Sequence, residues 1–139
     1  VIREPAMYRC AVGVSGVFDL AKLYKWGDTH RSDYGKEYLR IVIGEDQADL
    51  AARSPAKLAD QIGTPVLLAH GVMDPRADVK HAYALESALN KNGKKVELIV
   101  YPRMGHSMMI EEQRLDFFAR MLQFLDKHIG GKATVAPAS

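Results

Sequence analysis

Apolar positions along the chain come in short blocks separated by Gly, Pro and Asn, and their spacing changes from block to block. Arg9 to Ser15 is a short apolar run closed by Ser15-Gly16, which reads as a buried strand. Asp19 to Trp26 reads as a helical turn or loop. Asp33 to Ile43 mixes Tyr34, Tyr38, Leu39, Ile41 and Val42 with charges and stops at Gly44, the pattern of a helix with glycine just past its C-terminus. Asp49 to Arg53 predicts a further turn of helix. Ser54-Pro55 predicts a new start, because serine caps free N–H groups and proline is tolerated at the first helical position. That short helix runs through Leu58, and Gly63-Thr64-Pro65 breaks it.

Val66-Leu67-Leu68-Ala69-His70 is apolar without alternation, as suits a strand buried on both faces of a parallel sheet. Asp78 is placed to cap the next helix, whose apolar face is Val79, Ala82, Tyr83, Leu85 and Leu89 and which Asn92-Gly93 closes. Val96 to Tyr101 is rich in β-favouring residues and ends at Pro102. Glu111 to Ile129 is the strongest helix, with Leu115, Phe118, Leu122, Leu125 and Ile129 at three- and four-residue steps, and Gly130-Gly131 ends it. The order of strand, helices, strand, helix, strand, helix predicts an α/β fold, a parallel sheet flanked by helices. Three strands make a thin sheet, so one edge is expected to receive further strands. Lys132 to Ser139 reads as a frayed tail.

Composition narrows the function classes. At 139 residues the chain fits one small domain and can bury roughly two-thirds of its unfolded surface. Hydrophobic residues are 47% and charged residues 26%, which argues against disorder. A net charge of +2 with scattered basic residues excludes nucleic acid as an expected partner. No apolar run approaches the ~20 residues of a membrane span, so no membrane partner is expected. The single cysteine, Cys10, excludes an internal disulfide and reads as a small buried residue. The chain opens Val1-Ile2-Arg3-Glu4-Pro5, without Met or signal peptide, and reads as cut from something longer.

Functional groups of open parallel sheets gather on loops beyond the C-terminal ends of strands. Three such loops carry Ser15-Gly16, Asp74 and Gly105-His106. An acid on one loop and a histidine on the next are the supporting members of a Ser-Asp-His triad. Histidine takes a proton near neutrality, and the aspartate fixes its tautomer. Asp74 precedes His106 by 32 residues, room for one helix and one strand. Each residue alone has a plainer reading: Asp74, before Pro75, as a turn aspartate, and His106 as a loop histidine.

His70-Gly71-Val72-Met73-Asp74 followed by Tyr101-Pro102-Arg103-Met104-Gly105-His106 resembles the C-terminal half of the prolyl oligopeptidase family of serine peptidases, which includes dipeptidyl and acylaminoacyl peptidases. Ser54-Pro55, Thr64-Pro65-Val66-Leu67-Leu68 and Leu89-Asn90-Lys91-Asn92-Gly93-Lys94 look like the same family, and the likeness runs from about Ile2 to Gly130. It implies a partial α/β-hydrolase fold, with residues 1–130 the C-terminal portion of the peptidase domain and 131–139 a flexible tail. It implies Asp74 and His106 as triad acid and base, a peptide substrate and no cofactor. The nucleophile's Gly-x-Ser-x-Gly-Gly elbow and the oxyanion donors would lie upstream of Val1, so the upstream part of the same protein is an expected partner. Ala77-Asp78 departs from the family's more frequent Val-Pro.

Gly13-Val14-Ser15-Gly16-Val17 is one residue short of the elbow, with Val17 where Gly is needed. A strand-end turn is the favoured reading of Ser15, and a nucleophile the alternative. Tyr34 and Tyr38 share a helix face, which by spacing alone suits a core pair. In related dipeptidyl peptidases, tyrosines in this region line the pocket for the substrate's proline ring, so the resemblance implies the same substrate-binding role here, with Trp26 as a further lining residue. His70 reads as a packed histidine satisfied by backbone. His30, His81 and His128 read as surface residues without metal-ligand spacing, and Glu111-Glu112 as the acidic first turn of a helix. The chain by itself is expected to be inactive and to self-associate through apolar sheet surface. A non-catalytic assembly or binding module, or an esterase of the same fold, are the alternatives.

Overall fold

The computed structural model describes residues 1–130, so the tail expected at 131–139 lies outside the described residues. Three parallel strands form the sheet: β1 (Ala11–Val14), β2 (Val66–Gly71) and β3 (Val96–Tyr101), in the order β1-β2-β3. Ala11 pairs with Val66 and Val14 with Ala69, while Val66 pairs with Val96 and Gly71 with Tyr101. All six residues of β2 are buried, as its unbroken apolar run requires of a central strand. Among the described residues four α-helices accompany the sheet: α1 (Asp33–Val42), α2 (Gln47–Ala52), α3 (Lys80–Lys91) and α4 (Glu111–Ile129).

Alternation along the strands splits the core in two. On one face Val66 and Leu68 pack with Ala59, Ile62, Leu85 and Leu89, which brings α3 against the sheet. On the other face Ala69 and Tyr101 pack with Met104 and Phe117, which brings α4 against it. The result is an α/β fold with helices on both sides of a parallel sheet, as the order of elements predicts.

Local chemistry sets the helix starts. The Ser32 hydroxyl accepts from Gly35 N at 3.0 Å to open α1, and the Asp46 carboxylate accepts from Asp49 N at 2.8 Å to open α2. Asp78, expected to cap α3, lies one residue before the actual N-cap, Val79, which has no side-chain cap bond; its carboxylate instead accepts from Lys80 N at 2.9 Å. Ser54 differs from expectation. Its hydroxyl donates to Leu50 O at 2.6 Å and accepts from Leu20 N at 2.8 Å, and the residues after it form only a 3₁₀ turn, Pro55–Lys57. Fully buried, it staples the Leu20–Tyr24 turn to the end of α2.

The outward and inward faces of α4 are the reverse of the expected ones. Leu115, Phe118, Leu122 and Ile129 are 40–62% exposed, whereas Phe117 and Phe124 are buried. His81 is also not a surface residue: it is fully buried in α3. Its Nε2 faces the Trp26 carbonyl at 3.3 Å and its ring stands edge-on to the Trp26 indole. His30 and His128 are half-buried, the latter against Phe124, and Cys10 is half-buried rather than buried.

Candidate active site

β2 and β3 end side by side, and the loops leaving them touch at once. Val72 N donates to Tyr101 O and Met73 N to Met104 O, both at 3.0 Å. Gly71 is required where the two loops meet. A Cβ on it would run into the backbone carbonyl of Met104 and come within 2.7 Å of Gly105 O. Met104, 1% exposed, anchors the second loop in the core beside Ala69 and Phe117.

This contact brings Asp74 and His106 together. The Asp74 side chain is fully buried, and its Oδ1 accepts from Arg76 N at 2.9 Å and Ala77 N at 3.0 Å. Those two bonds make the turn that the plainer reading of Asp74 anticipates. They occupy only one oxygen. Oδ2 lies 2.9 Å from His106 Nδ1. A carboxylate accepts, so Nδ1 carries the ring's proton and Nε2 keeps its lone pair. The His106 side chain is half exposed, and Nε2 has no protein partner among the described residues. The arrangement is a proton acceptor, held in one tautomer, at the solvent edge of the sheet's C-terminal end.

Tyr34 and Tyr38 are not core residues: they are 84% and 50% exposed on α1. With Asp28, Ser32 and Arg76 they line an open groove of about 480 Å³. Gly35 between them lets α1 lie on the Thr29 carbonyl, which a Cβ would strike. Arg76 links groove and loop: its N binds Asp74 and its Nε stands 3.4 Å from Asp28. Trp26 is not among the groove's lining residues; it packs on His81, with Lys22 Nζ 5.4 Å from its ring centre.

Ser15 has one property of an elbow nucleophile and lacks the rest. Its φ of +47° is strained for a non-glycine residue. No α-helix starts directly after it, the next being α1, and its Oγ is buried without a partner among the described residues, so nothing is placed to take its proton. Sequence reasoning missed Arg76 and the closeness of His70 to Asp74, whose Nε2 and Oδ2 are 3.4 Å apart. The four-residue step between those two was the available signal. Among the described residues, no group of three or more His, Cys, Asp or Glu could hold a metal ion, and no helix is long and apolar enough to cross a membrane.

Comparison with known proteins identifies the family and the fold. The prolyl oligopeptidase family matches residues 1–132. The chain is 25% identical over 134 residues to "Dipeptidyl peptidase family member 6" of Caenorhabditis elegans, covering 92% of this chain and 18% of that protein. It is 32% identical over 98 residues to the "Acylamino-acid-releasing enzyme" of Mus musculus, covering 70% of this chain and 13% of that protein. The Pyrococcus horikoshii acylaminoacyl peptidase superposes with a TM-score of 0.80 at 17% identity, over 98% of this chain and 22% of its own, a likeness of fold. The chain thus spans about a fifth or less of the length of these relatives.

Proposed function

The chain belongs to the prolyl oligopeptidase family and carries part of its α/β-hydrolase fold, and on that premise we propose that Asp74 and His106 are the acid and base of a serine peptidase's triad, with the serine supplied from outside these 139 residues. The observation that carries this reading is the 2.9 Å approach of His106 Nδ1 to the buried Asp74 Oδ2, with Nε2 left open. In the whole enzyme the serine hydroxyl attacks the carbonyl carbon of a peptide bond while His106 Nε2 takes its proton. The imidazolium beside the Asp74 carboxylate is stabilised, and Nε2 then returns the proton to the leaving amine. The resulting acyl-enzyme is released by water through the same nitrogen.

The groove between Tyr34 and Tyr38 receives a substrate side chain in this reading. Two aromatic side chains on a helix face suit an apolar ring, and Arg76 sets the groove directly against the acid loop. The β1 edge, unpaired among the described residues, is where further strands of the same protein join. The isolated chain pairs with a second copy through such surface, which light scattering reads directly: a monodisperse 15.4 kDa species counts against it.

The test is activity of the full open reading frame against a chromogenic peptide amide. The isolated chain gives no turnover. In the longer protein, His106→Ala lowers kcat by on the order of 10³-fold or more. Unchanged turnover in that variant overturns the proposal. So does turnover by the isolated chain that is abolished by Ser15→Ala.

A further inference from the structure

Beyond the acid and the base, the geometry points to His70 as a positioning residue, one that holds the acid loop so that Asp74 faces His106. This inference rests on the reading of those two residues as a catalytic pair. His70 is the last residue but one of β2, is 1% exposed, and lies on the face of the sheet covered by α3. Its Nε2 stands 2.7 Å from Ala77 O, seven residues on. A carbonyl accepts, so Nε2 carries the proton. The same nitrogen is 3.4 Å from Asp74 Oδ2, a second acceptor, which the opposite tautomer would face with a lone pair. Both neighbours therefore select one tautomer, Nε2–H.

The consequence is a continuous set of contacts from strand to base. The His70 ring grips the carbonyl of Ala77. The N–H of Ala77 donates to Asp74 Oδ1 at 3.0 Å, and Asp74 Oδ2 meets His106 Nδ1 at 2.9 Å. The loop is thus tied back to the strand it left, and the carboxylate is fixed by the residue that His70 fixes. A packed histidine with no such role would need only its volume. His70 Nδ1 has no partner among the described residues, so the ring is held from one nitrogen, the one aimed at the loop. An apolar residue of similar size fills the same space but leaves the Ala77 carbonyl buried and unpaired. The loop then relaxes, and the carboxylate turns from His106.

The test uses the 139-residue chain itself, with ¹⁵N-labelled histidine rings and long-range ¹H–¹⁵N correlation at a pH where the rings are neutral. In the unmodified chain His106 is expected as Nδ1–H and His70 as Nε2–H. In His70→Phe, His106 loses most of its Nδ1–H population. In His70→Gln, whose amide N–H can reach Ala77 O, His106 keeps it. Leu89→Ala loosens the core on the same face of the sheet and also leaves His106 as Nδ1–H, which separates positioning from general loosening. Retention of Nδ1–H at His106 in a folded His70→Phe chain overturns the inference and leaves the catalytic pair intact. So does equal loss in Leu89→Ala. Should His70→Phe not fold, an Nδ1–H tautomer at His70 in the unmodified chain also overturns it. Absence of Nδ1–H at His106 in the unmodified chain overturns the pair itself, a separate failure.

Discussion

Replacing Gly71 by alanine tests whether the two loops need their close approach. The new Cβ meets backbone, the carbonyls of Met104 and Gly105, rather than a side chain that can rotate away. Relief requires the segment after β3 to withdraw from the end of β2. Two hydrogen bonds cross that junction, Val72 N to Tyr101 O and Met73 N to Met104 O. Their loss costs about 1 kcal/mol each. Overpacking at a tight site adds about 1–3 kcal/mol. The sum, roughly 3–5 kcal/mol, is a large share of the about 5–15 kcal/mol that holds a domain together. With a urea slope of about 1.5 kcal/mol per M, the unfolding midpoint falls by roughly 2–3 M. Gly63→Ala is the control, because a Cβ there meets nothing within 4 Å; it is neutral or stabilises by about 0.4–1 kcal/mol. The hydrogen-bonded Nδ1 proton of His106 is read on the same samples and disappears in Gly71→Ala, since His106 rides on the displaced loop. A midpoint within about 0.5 M of the parent, with that proton retained, refutes the reasoning.

Two further outcomes stem from burial. Phe117→Ala, on the sheet-facing side of α4, costs about 3–5 kcal/mol in a denaturant titration, whereas Leu115→Ala, 62% exposed, stays within about 0.5 kcal/mol; the reverse ranking would restore the expected apolar stripe as the packed face. His81 makes the chain sensitive to acid. Burial holds its ring below the proton affinity of a free histidine, against the opposing pull of the Trp26 carbonyl and nearby Asp19. The unfolded chain therefore binds the proton more readily, and acid favours unfolding. His81's share of the stability is present in full above the unfolded value of about 6.5 and is lost as pH falls below it toward the folded value, at up to about 1.4 kcal/mol per pH unit. Urea titrations between pH 5 and 7.5 should show that slope, and His81→Phe should flatten it; identical slopes in both chains refute the assignment.

What the sequence disclosed depended on whether a feature needs only local order. The strands Val66–Gly71 and Val96–Tyr101 announce themselves because their apolar runs are bounded by Gly and Pro. The Asp74–His106 pair was legible for a related reason. Parallel strands put successive loops at one end of the sheet, so chain order and a 32-residue interval were enough to propose the contact. The face of α4 was not legible. Phe117, Met121 and Phe124 recur at helical spacing just as Leu115, Phe118 and Leu122 do, so periodicity alone offers two stripes. Only the sheet, with Ala69 and Tyr101 waiting for Phe117, chooses between them.

The partners of the buried histidines were hidden for a different physical reason. Polarity argues for the surface unless a partner compensates, and the partners of His70 and His81 are backbone carbonyls, of Ala77 and Trp26. Every residue supplies a carbonyl, so composition and spacing carry no trace of which one will be in reach. For His81 that partner is 55 positions away in sequence, on a segment placed only by tertiary packing. For His70 it lies within seven residues, but the turn that presents it exists because Asp74 binds the N–H groups of Arg76 and Ala77. The aspartate whose role can be read from the sequence thus shapes the loop whose carbonyl holds a histidine whose partner cannot. The dependence runs both ways, which is why Asp74 and His70 should be altered singly and together: if they act as one unit, the effect of the pair on the His106 tautomer is no larger than that of Asp74→Asn alone.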